Sequence, residues 1–529
     1  MKTVIDQFAA SLDRDPRATA VTLVAPGGEA EELSYETLYA LARRAAMGLS
    51  SRGIDRGDVV VLAMPTSREI LGYYLASLCT GVIPLIAPSH DGAAEHAASV
   101  AAAAGARHVL TLADAHEGLA RGEGSLDLRI HADDIAHLQA TSGSTGLPKI
   151  AVIRNRNVSA NVRAIGDAIE EREGDRVVSW LPLYHDMGLI CISCVLHWQR
   201  PLVLTDPGNF VRHPIRYWLS LISTYGGTVS PAPTSAYQIC SRLARRRQFE
   251  NLDLSRWRVG FCGAEPVHAR TIEEFRDTFA PYGLAPTTVL PVYGLAEATL
   301  AVTIPQQGTV PVFDAVDRER LEREQLAMPA LPNDRAAVHV GLGPPLGGHD
   351  VKIVDAEGRA LPERHVGEIE VHGPSVINSY RSCETSIATN GLRTGDLGYI
   401  ADGRLFVTGR KKDIIIIHGR NLLPAELEAT AEETLATGIH NGVAAVGMMN
   451  DAQATEELHL FVESREVPPP DRELLEERLR GVMSDAFQLS GVHVHWTPKG
   501  SIPKTPSGKI QRSRCRELLR EQAGVPAPS

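Results

Sequence analysis

The sequence has few cysteines, no excess of positive charge and no long apolar run, and each absence excludes a class of protein. Seven cysteines in 529 residues are too few for a disulfide framework. Asp and Glu (64) outnumber Lys and Arg (53), and the net charge of −11 argues against a general nucleic-acid or anionic-membrane binder. No stretch approaches the ~20 consecutive apolar residues of a membrane-spanning helix.

The N-terminal segment lacks the features of a secretory signal. MKTVIDQFAASLDRDPRA contains acidic residues and arginines and has no continuous apolar core. We therefore expect a reducing, cytoplasmic environment. What is present is ordinary for a globular protein, with 43% hydrophobic and 22% charged residues, so a large apolar core can form.

Alternating periodicity predicts an α/β fold. Strand-like runs at 58–65, 82–88 and 108–112 are separated by helix-like stretches at 67–81 and 95–106. Strands and helices of these lengths indicate βαβ units around a parallel sheet.

Two later parts of the chain differ from the N-terminal part in composition and in predicted secondary structure. A Pro/Gly-rich zone at about 303–348 contains a charged, helix-like segment at 313–327, and strand-like pieces separated by turns follow it. These pieces predict a small antiparallel subdomain. From GRKKDIIIIHGRN (409–421) onwards, the pattern indicates a separate α+β unit. We therefore predict a large domain over 1–408 and a small, mobile domain over 409–529.

The strongest chemical signal is the segment TSGSTGLPK, Thr141 to Lys149. Glycines let backbone N–H groups turn towards an anion, hydroxyls add donors, and Lys149 adds a positive charge, so the segment predicts a polyphosphate cradle. It is not the usual P-loop, in which a helix follows the lysine directly. A flexible Ser/Gly linker would not explain a single lysine after proline with strands on both sides. The predicted donors are Thr141, Ser142, Gly143, Ser144, Thr145, Gly146 and Lys149.

TSGSTGLPK resembles the phosphate loop of the adenylate-forming superfamily, which includes acyl-CoA synthetases, adenylation domains of peptide synthetases and luciferase-like enzymes. PVYGLAEAT (291–299) resembles the motif in which a tyrosine packs against adenine and a glutamate holds magnesium. The resemblance assigns these roles to Tyr293 and Glu297, with Thr145 as a second magnesium contact. The nucleotide-binding residues of this motif are Tyr293, Gly294, Leu295, Ala296 and Glu297.

Three further motifs follow in the order of that superfamily. RTGDLG (393–398) is similar to the motif whose aspartate, here Asp396, binds the ribose hydroxyls. GRKKD is similar to the hinge motif, so that Arg410 would contact ribose or phosphate and Lys412 would be the pivot. PKTPSGKIQR resembles the loop whose lysine, here Lys509, drives adenylation. The resemblance implies ATP and Mg²⁺ as cofactors.

The reaction that the resemblance implies explains why the motifs contain lysines and other groups that can stabilise negative charge. A carboxylate must attack the α-phosphate of ATP, and because both groups are anions, catalysis depends on positioning and on charge stabilisation. A lysine is a compact, mobile point charge suited to that task. A lysine alone is more often a solvated surface residue, but the ordered motifs favour a catalytic role for Lys509.

A narrower resemblance concerns fatty acyl-AMP ligases, which pass the acyl group to an acyl carrier protein rather than to coenzyme A. PLYHDMGLI (182–190), WRVGFCGAEPV (257–267) and HGRNLLPAELE (418–428) are similar to their segments. The resemblance makes His185, otherwise more typical of a structural histidine, a catalytic candidate at the acyl and α-phosphate site. It also assigns the adenine edge to Gly263, Ala264, Glu265 and Pro266.

The zone 303–348 matches the place of an insertion in those ligases that restrains the small domain and disfavours the coenzyme A step. A surface loop with one solvated helix is the alternative interpretation, because alternating charge usually marks an exposed face. The expected partners are thus a fatty or other carboxylic acid and a phosphopantetheinylated carrier protein, with no nucleic acid and no membrane span. Family habit places such enzymes in lipid or natural-product assembly.

Competing functions stay open at this point. An acyl-CoA synthetase would share the first step, and Asp186 keeps an amino-acid adenylation domain in consideration. A catalytically inactive scaffold is the remaining class. Thr234 and Ser235 replace larger residues beside the expected acyl tunnel, so the sequence does not give a chain length.

Two other patterns have plainer interpretations. CISC (191–194) is interpreted as buried core thiols rather than as a zinc or redox site. The basic stretch 509–520 is interpreted as a helix face beside the Lys509 loop. Docking of an acidic carrier protein is its alternative role.

Overall fold

The computed structural model describes residues 2–90, 92–141, 148–245, 248–381, 387, 391–435, 440–450, 453–505 and 508–523. The chain forms two compact units. The first consists of Met1–Val312, Val340–Val351 and Val371–Leu392, and the second of Phe313–His339, Lys352–Glu370 and Arg393–Ser529. The second unit therefore contains the whole of 409–529 together with earlier segments, and the functional boundary at 408–409 stays a prediction.

The first unit contains the helices and strands of the N-terminal part of the chain. The helices are α1 Val4–Arg14, α2 Tyr35–Ser50, α3 Arg68–Thr80, α4 Ala94–Ala104, α5 Leu112–Leu119, α6 Asn155–Ala168, α7 Asp186–Trp198, α8 Pro207–Arg212, α9 Ser220–Tyr225, α10 Thr234–Ala244 and α11 Ala269–Phe279. The strands are β1 Thr19–Val24, β2 Ala30–Ser34, β3 Val59–Ala63, β4 Ile83–Ile86, β5 His108–Thr111, β6 Ile135–Thr141, β7 Lys149–Arg154, β8 Val177–Ser179, β9 Leu202–Thr205, β10 Val229–Pro233, β11 Val259–Gly263, β12 Val289–Pro291, β13 Tyr293–Gly294 and β14 Ala301–Thr303.

Two mainly parallel sheets organise this unit. One has the strand order β12-β11-β10-β8-β9-β1-β2 and the other β5-β3-β4-β6-β7. In the second sheet β3 pairs in parallel with both β4 and β5, and α3 and α4 form the connections. The βαβ arrangement predicted for 58–112 is thus confirmed.

Local sequence explains why these elements form and end where they do. Strands β3, β4 and β9 consist mainly of Val, Ile and Leu and are buried almost throughout, as expected for parallel strands covered on both faces. Helix α1 begins at a capping box between Thr3 and Asp6. Helix α4 ends at Ala104 and is capped by Gly105, whose left-handed φ of +66° costs glycine little.

The remaining elements lie mostly in the second unit. The strands are β15 Phe313–Asp317, β16 Ala336–Val340, β17 Asp350–Val354, β18 Gly367–His372, β19 Leu392–Ala401, β20 Arg404–Arg410, β21 Ile415–Ile417, β22 Arg420–Leu422, β23 His440–Asn450, β24 Thr455–Ser464 and β25 Val492–Pro498. The helices are α12 Arg318–Glu324, α13 Pro424–Thr434, α14 Arg472–Phe487 and α15 Arg512–Ala523. The sheets have the orders β17-β18-β19-β20 and β23-β24-β25, with short pairs β15-β16 and β21-β22.

The charged segment at 313–327 differs from its sequence-based prediction. Its first part is strand β15 rather than helix, and Val316 in that strand is fully buried. Helix α12 begins only at Arg318, because the carboxylate of Asp317 accepts hydrogen bonds from the N–H groups of Glu319 and Arg320 at 2.9 and 3.2 Å. Pro424 lies in the first turn of α13, where the N–H that proline lacks would have no partner within the helix.

The cysteines of the described ranges are free thiols in buried positions. Burial raises the pKa of Cys191 to about 12 and also raises the pKa of Cys194 well above its usual value, so both thiols of the CISC segment are protonated core groups. The interpretation of this segment as buried thiols is confirmed. Among the described residues, no helix combines the length and apolar character needed to cross a bilayer.

Candidate active site

Three adjacent strand ends bring the predicted adenine residues together in the first unit. Strands β10, β11 and β12 are parallel neighbours, with Pro233 opposite Gly263 and Cys262 opposite Pro291. The segments that follow these strands are therefore side by side, at the carboxyl edge of the sheet. Open α/β sheets bind ligands at this edge.

Close backbone packing determines the conformation of the GAEP segment. A Cβ atom on Gly263 would lie 2.8 Å from the carbonyl oxygen of Val292, so only glycine fits. Ala264 has a φ of +63°, a left-handed conformation that costs free energy for a residue with a side chain. The carboxylate of Glu265 accepts hydrogen bonds from the N–H of Ser235 at 2.8 Å and from its hydroxyl at 3.2 Å. Ser235, which the sequence marked only as a departure from the family, thus positions a candidate site residue.

The YGLAEAT segment forms a tight loop that presents Glu297. A Cβ on Gly294 would lie 2.0 Å from the carbonyl oxygen of Leu300, and the N–H of Leu295 donates to that same oxygen at 2.8 Å. Residues Ala296–Ala298 form one 3-10 turn, and buried Thr299 closes it with a φ of +70°. Tyr293 is 8% exposed at the start of the loop.

Tyr380 connects two predicted site residues and was not predicted from the sequence. Its hydroxyl donates to Oε1 of Glu297 at 3.0 Å, and Nζ of Lys149 lies 5.4 Å from the centre of its ring. Both contacts are favourable, the second as a cation–π interaction. Tyr380 reaches this position because the N–H of Arg381 donates to the carbonyl of Ile150 on strand β7. No local pattern around Tyr380 signals this long-range pairing.

The predicted phosphate loop connects two paired strands. Thr141, at the end of β6, lies opposite Lys149, at the start of antiparallel β7, and its hydroxyl donates to the carbonyl of Lys149 at 3.3 Å. Strands therefore flank the loop on both sides, as the sequence indicated. The loop residues Ser142, Gly143, Ser144, Thr145 and Gly146 lie outside the described residues.

A side chain of strand β6 forms a hydrogen bond to the segment that contains His185. Nε2 of Gln139, two residues before Thr141, donates to the carbonyl of Tyr184 at 2.8 Å. His185 precedes helix α7 and is 22% exposed, and its Nδ1 lies 2.6 Å from Oδ1 of Asp186. The neighbouring carboxylate therefore orients the imidazole ring. Gly188 allows this turn because a Cβ there would lie 2.2 Å from the carbonyl of Pro182.

In the second unit, Asp396 and Arg410 are paired with each other. They are opposite residues on antiparallel strands β19 and β20, and Nε of Arg410 lies 3.2 Å from Oδ1 of Asp396. The carboxylate is 14% exposed and the guanidinium 43% exposed. Lys412 follows in a 3-10 turn, where desolvation lowers its pKa.

Lys509 lies in a tight turn of the second unit. The N–H of Thr505 donates to the carbonyl of Lys509 at 2.8 Å, and the N–H of Lys509 donates back to the Thr505 hydroxyl at 3.1 Å. Gly508 supplies the required φ of +86°. These bonds fix the backbone that carries the lysine side chain.

A buried ion-pair network near this turn was also not predicted. Arg512, at the start of α15, lies 2.6 Å from Glu428 of α13 and 3.2 Å from Asp413. Burial raises the pKa of Glu428, and the arginine charge opposes that shift. Arg514, on the same helix, pairs with Glu517 and Glu521. These pairings within the unit favour the helix-face interpretation of 509–520.

The chain is similar to known enzymes that bind AMP and to enzymes named as acyl ligases or synthetases. The family model described as AMP-binding enzyme matches residues 8–381. A Moorena producens protein named medium-chain-fatty-acid–[acyl-carrier-protein] ligase JamA is 32% identical over 92% of this chain and 90% of its own. A Caulobacter vibrioides protein, named provisionally as an acyl-CoA synthetase, is 32% identical over 94% of this chain and 92% of its own.

A solved structure is also similar over nearly the whole chain. It comes from a study of fatty acyl-adenylate ligases from E. coli and L. pneumophila. It has a TM-score of 0.89 and 33% sequence identity and covers 99% of both chains.

Proposed function

Because the chain belongs to the AMP-binding enzyme family, we propose that it is an ATP-dependent fatty acyl-AMP ligase that transfers the acyl group to a carrier protein. The names of the JamA ligase and of the solved fatty acyl-adenylate ligases support both the fatty acid and the carrier protein. Six buried free thiols in the described part of the chain are compatible with the proposed cytoplasmic location.

The observation that carries the proposal is the grouping in the first unit. Gly263 and Ala264 lie beside the start of the YGLAEAT loop at the carboxyl edge of three parallel strands, and Tyr380 connects Glu297 with Lys149. This grouping combines small residues and the aromatic ring of Tyr293, which can pack against a base, with a cation and a carboxylate. Such a set suits a nucleotide with a polyphosphate tail.

This proposal assigns the following roles to the candidate residues. Adenine packs against the GAEP segment and Tyr293, and the triphosphate contacts the 141–149 loop. Asp396 binds the ribose hydroxyls, Arg410 contacts ribose or phosphate, and Lys412 is the hinge. Lys509 and His185 contact the reacting groups. The nucleotide contacts are Thr141, Ser142, Gly143, Ser144, Thr145, Gly146, Lys149, Gly263, Ala264, Glu265, Pro266, Tyr293, Gly294, Leu295, Ala296, Glu297, Asp396 and Arg410.

Glu297 fits a magnesium ion. Tyr380 holds Oε1 of the carboxylate, so Oε2 is the oxygen offered to a hard cation. Mg²⁺ typically takes one or two carboxylates together with substrate phosphates. Thr145 is the second proposed protein ligand. When bound, the ion would neutralise phosphate charge.

The proposed reaction has two balanced steps. A carboxylate oxygen of the acid attacks the α-phosphorus of ATP, the bond to the β-phosphate breaks, and pyrophosphate leaves with the electron pair. Lys509 offsets the charge that develops on the α-phosphate. The phosphopantetheine thiol then gives its proton to solvent and attacks the acyl carbonyl, the C–O bond to AMP breaks, and AMP leaves with the electron pair.

The choice of a carrier protein over coenzyme A is supported by helix α12, which lies within the predicted insertion. Nε of Arg420 lies 2.8 Å from Glu322, and these side chains are 9% and 5% exposed. Arg318 pairs with Glu426 and lies 4.6 Å from the centre of the Phe487 ring. We propose that these contacts restrain α13, β22 and α14 against the movement that transfer to coenzyme A requires.

Coenzyme A as the acceptor is the second candidate, because the Caulobacter relative carries a synthetase name. The test pre-forms acyl-AMP over a panel of fatty acids and offers coenzyme A or a phosphopantetheinylated carrier protein separately. We expect transfer to the carrier alone. Efficient acyl-CoA formation would overturn the carrier assignment, and absence of pyrophosphate release with every acid would overturn adenylation itself.

Variants of α12 test the restraint separately. Glu322→Gln removes the buried partner of Arg420 and should raise transfer to coenzyme A several-fold, with pyrophosphate release retained. The matched control is Glu324→Gln on the same helix, because Glu324 pairs with Arg320 at 3.1 Å in an exposed position. If Glu322→Gln and Glu324→Gln had equal activity with coenzyme A, the Glu322–Arg420 contact of α12 would not be the cause of the preference for a carrier protein.

A further inference from the structure

One face of the sheet β23-β24-β25 carries a cluster of histidines that the adenylation chemistry does not use. Strands β24 and β25 are parallel, with His459 opposite His493 and Phe461 opposite His495. Because side chains alternate along a strand, Glu457 and His459 share a face with His493 and His495. The opposite face carries Leu458, Leu460 and Val492, which belong to the core of this unit.

The potential ligand atoms of three of these residues are close together. One atom each from Glu457, His459 and His493 lies within 4.8 Å of the other two. Nε2 of His493 lies 3.1 Å from Oε2 of Glu457, and the rings of His459 and His493 are stacked with centres 4.6 Å apart. Among the residues that the structure describes, this is the single such group of three.

Two neighbouring side chains orient the cluster. Nδ2 of Asn450 donates to Oε1 of Glu457 at 2.7 Å, so the other carboxylate oxygen points at His493. Nδ1 of His459 lies within hydrogen-bond distance, 2.9 Å, of Nε2 of His495. Metal-binding histidines and carboxylates characteristically have such outer partners, which fix the ring or carboxylate orientation.

We propose that Glu457, His459 and His493 form a binding site for a divalent transition metal of the zinc class. Two imidazole nitrogens and one carboxylate oxygen are an established ligand set for Zn²⁺. Bonds of ~2.1 Å would place the ligand atoms ~3.4 Å apart. The three ligand atoms now lie within 4.8 Å of one another, so they would approach by at most ~1.4 Å on binding the ion. Imidazole ligands favour Zn²⁺, Ni²⁺ or Cu²⁺ over Mg²⁺, so this site is distinct from the proposed magnesium contact at Glu297.

The position of the site indicates a structural role. Strand β25 is the edge strand of its sheet, and the chain continues from it to the Lys509 turn. His493 is 48% exposed and Glu457 is 21% exposed, so an ion can enter from solvent. A bound ion would connect β24 to this edge strand and leave one coordination position for water. It would stabilise the second unit without joining the reaction.

The test uses the untagged, full-length chain after metal removal with a chelator. Zn²⁺ is titrated against a chromophoric competitor, and Co²⁺ is followed by visible absorption, which reports nitrogen and oxygen ligands directly. We expect one equivalent of each ion per chain and a higher Tm with Zn²⁺. Mg²⁺ should not compete for the site.

The variants are His493→Gln and the double variant His459→Ala/His493→Ala. Each should weaken Zn²⁺ binding by more than about tenfold, since loss of even an outer partner has an effect of that size. Circular dichroism and unchanged pyrophosphate release will show that the variants fold. His493→Gln keeps the test valid if the double variant does not fold, because the side chain of His493 is half exposed.

The matched control is His116→Ala, because Nε2 of His116 lies 3.4 Å from Glu69 and forms a histidine–carboxylate pair elsewhere on the surface. This variant should bind Zn²⁺ as the unmodified chain does. The proposal is wrong if the unmodified chain binds Zn²⁺ no more tightly than the folded His459 and His493 variants. It is equally wrong if His116→Ala causes the same loss.

Discussion

The two compact units position their candidate site residues by different physical means. In the first, backbone atoms in close contact fix the site, and Gly263 and Gly294 are present because any side chain would collide with a carbonyl oxygen. In the second, ion pairs hold Asp396 to Arg410 and link Arg512 to Glu428 and Asp413, next to the hydrogen-bonded turn that carries Lys509. The first arrangement should therefore be sensitive to added volume and the second to removed charge.

The largest expected effect is that of Lys509→Ala. Loss of the proposed charge at the α-phosphate should lower the rate of pyrophosphate release by about 10²- to 10³-fold, as for other groups that stabilise transition-state charge. The turn itself depends on main-chain bonds to Thr505 and should persist. Stopped-flow detection of pyrophosphate measures the rate.

Lys504→Ala is the matched control, because Lys504 lies on the same turn and pairs through its backbone with Ile510. We expect it to retain nearly full activity. If Lys509→Ala retained full pyrophosphate release, the catalytic assignment would be refuted.

Arg512→Met tests the dependence of the second unit on charge. It leaves the buried carboxylate of Glu428 without its cation, and loss of one partner of a buried pair typically costs about 3 kcal/mol or more. Urea unfolding should show this loss. Adding Glu428→Gln should restore part of it, because the remaining buried group is then neutral.

Arg514→Met serves as the control on the same helix, where Arg514 pairs with Glu517 at half-exposed positions. Its effect should stay below about 1 kcal/mol. If Arg512→Met and Arg514→Met destabilised the protein equally, the claim that the second unit depends on its buried ion pairs would be wrong.

Gly294→Ala tests the dependence of the first unit on volume. The added methyl group would lie 2.0 Å from the Leu300 carbonyl, so the loop must shift, at a cost of about 2 kcal/mol. We expect lower stability and a raised KM for ATP. Gly347→Ala is the control, because a Cβ there meets no atom within 4 Å. An unchanged KM for ATP in Gly294→Ala would show that the YGLAEAT loop does not contribute to nucleotide binding.

His137→Leu tests a pH-dependent contribution to stability within the first unit. Burial lowers the pKa of His137 to about 4, against about 6.5 in the unfolded chain. Between these values the unfolded state binds one more proton. The folded state therefore loses about 1.4 kcal/mol per pH unit as the pH falls from 6.5 towards 4.

The leucine variant should lack this contribution, and above pH 7 the difference between the two proteins should be constant. Denaturant unfolding at a series of pH values measures both slopes. Identical slopes below pH 6.5 would contradict the assignment to His137.

The sequence predicts local structure well where one pattern determines it. Hydrophobic runs and helix propensity gave β3, α3, β4, α4 and β5 close to their observed bounds. The helix predicted for 313–327 was wrong over Phe313–Asp317, because the alternating charge of the segment matches a helix while burial of Val316 favours a strand. Tertiary packing there outweighed the local pattern.

Within the candidate site, the motifs identify positions but not partners. The pairing of Tyr380 with Glu297 joins residues 83 positions apart, and that of Arg512 with Glu428 joins residues 84 apart. Neither spacing leaves a periodic signal in the sequence. The same holds for Ser235, whose contact with Glu265 depends on the register between β10 and β11.

The most direct test of the account is a crystal structure of the full chain bound to a non-hydrolysable acyl-adenylate analogue. We predict adenine against Gly263–Pro266 and Tyr293, with the phosphate-mimicking group, which takes the place of the α-phosphate, beside His185. An analogue bound away from the carboxyl ends of β10, β11 and β12 would contradict it.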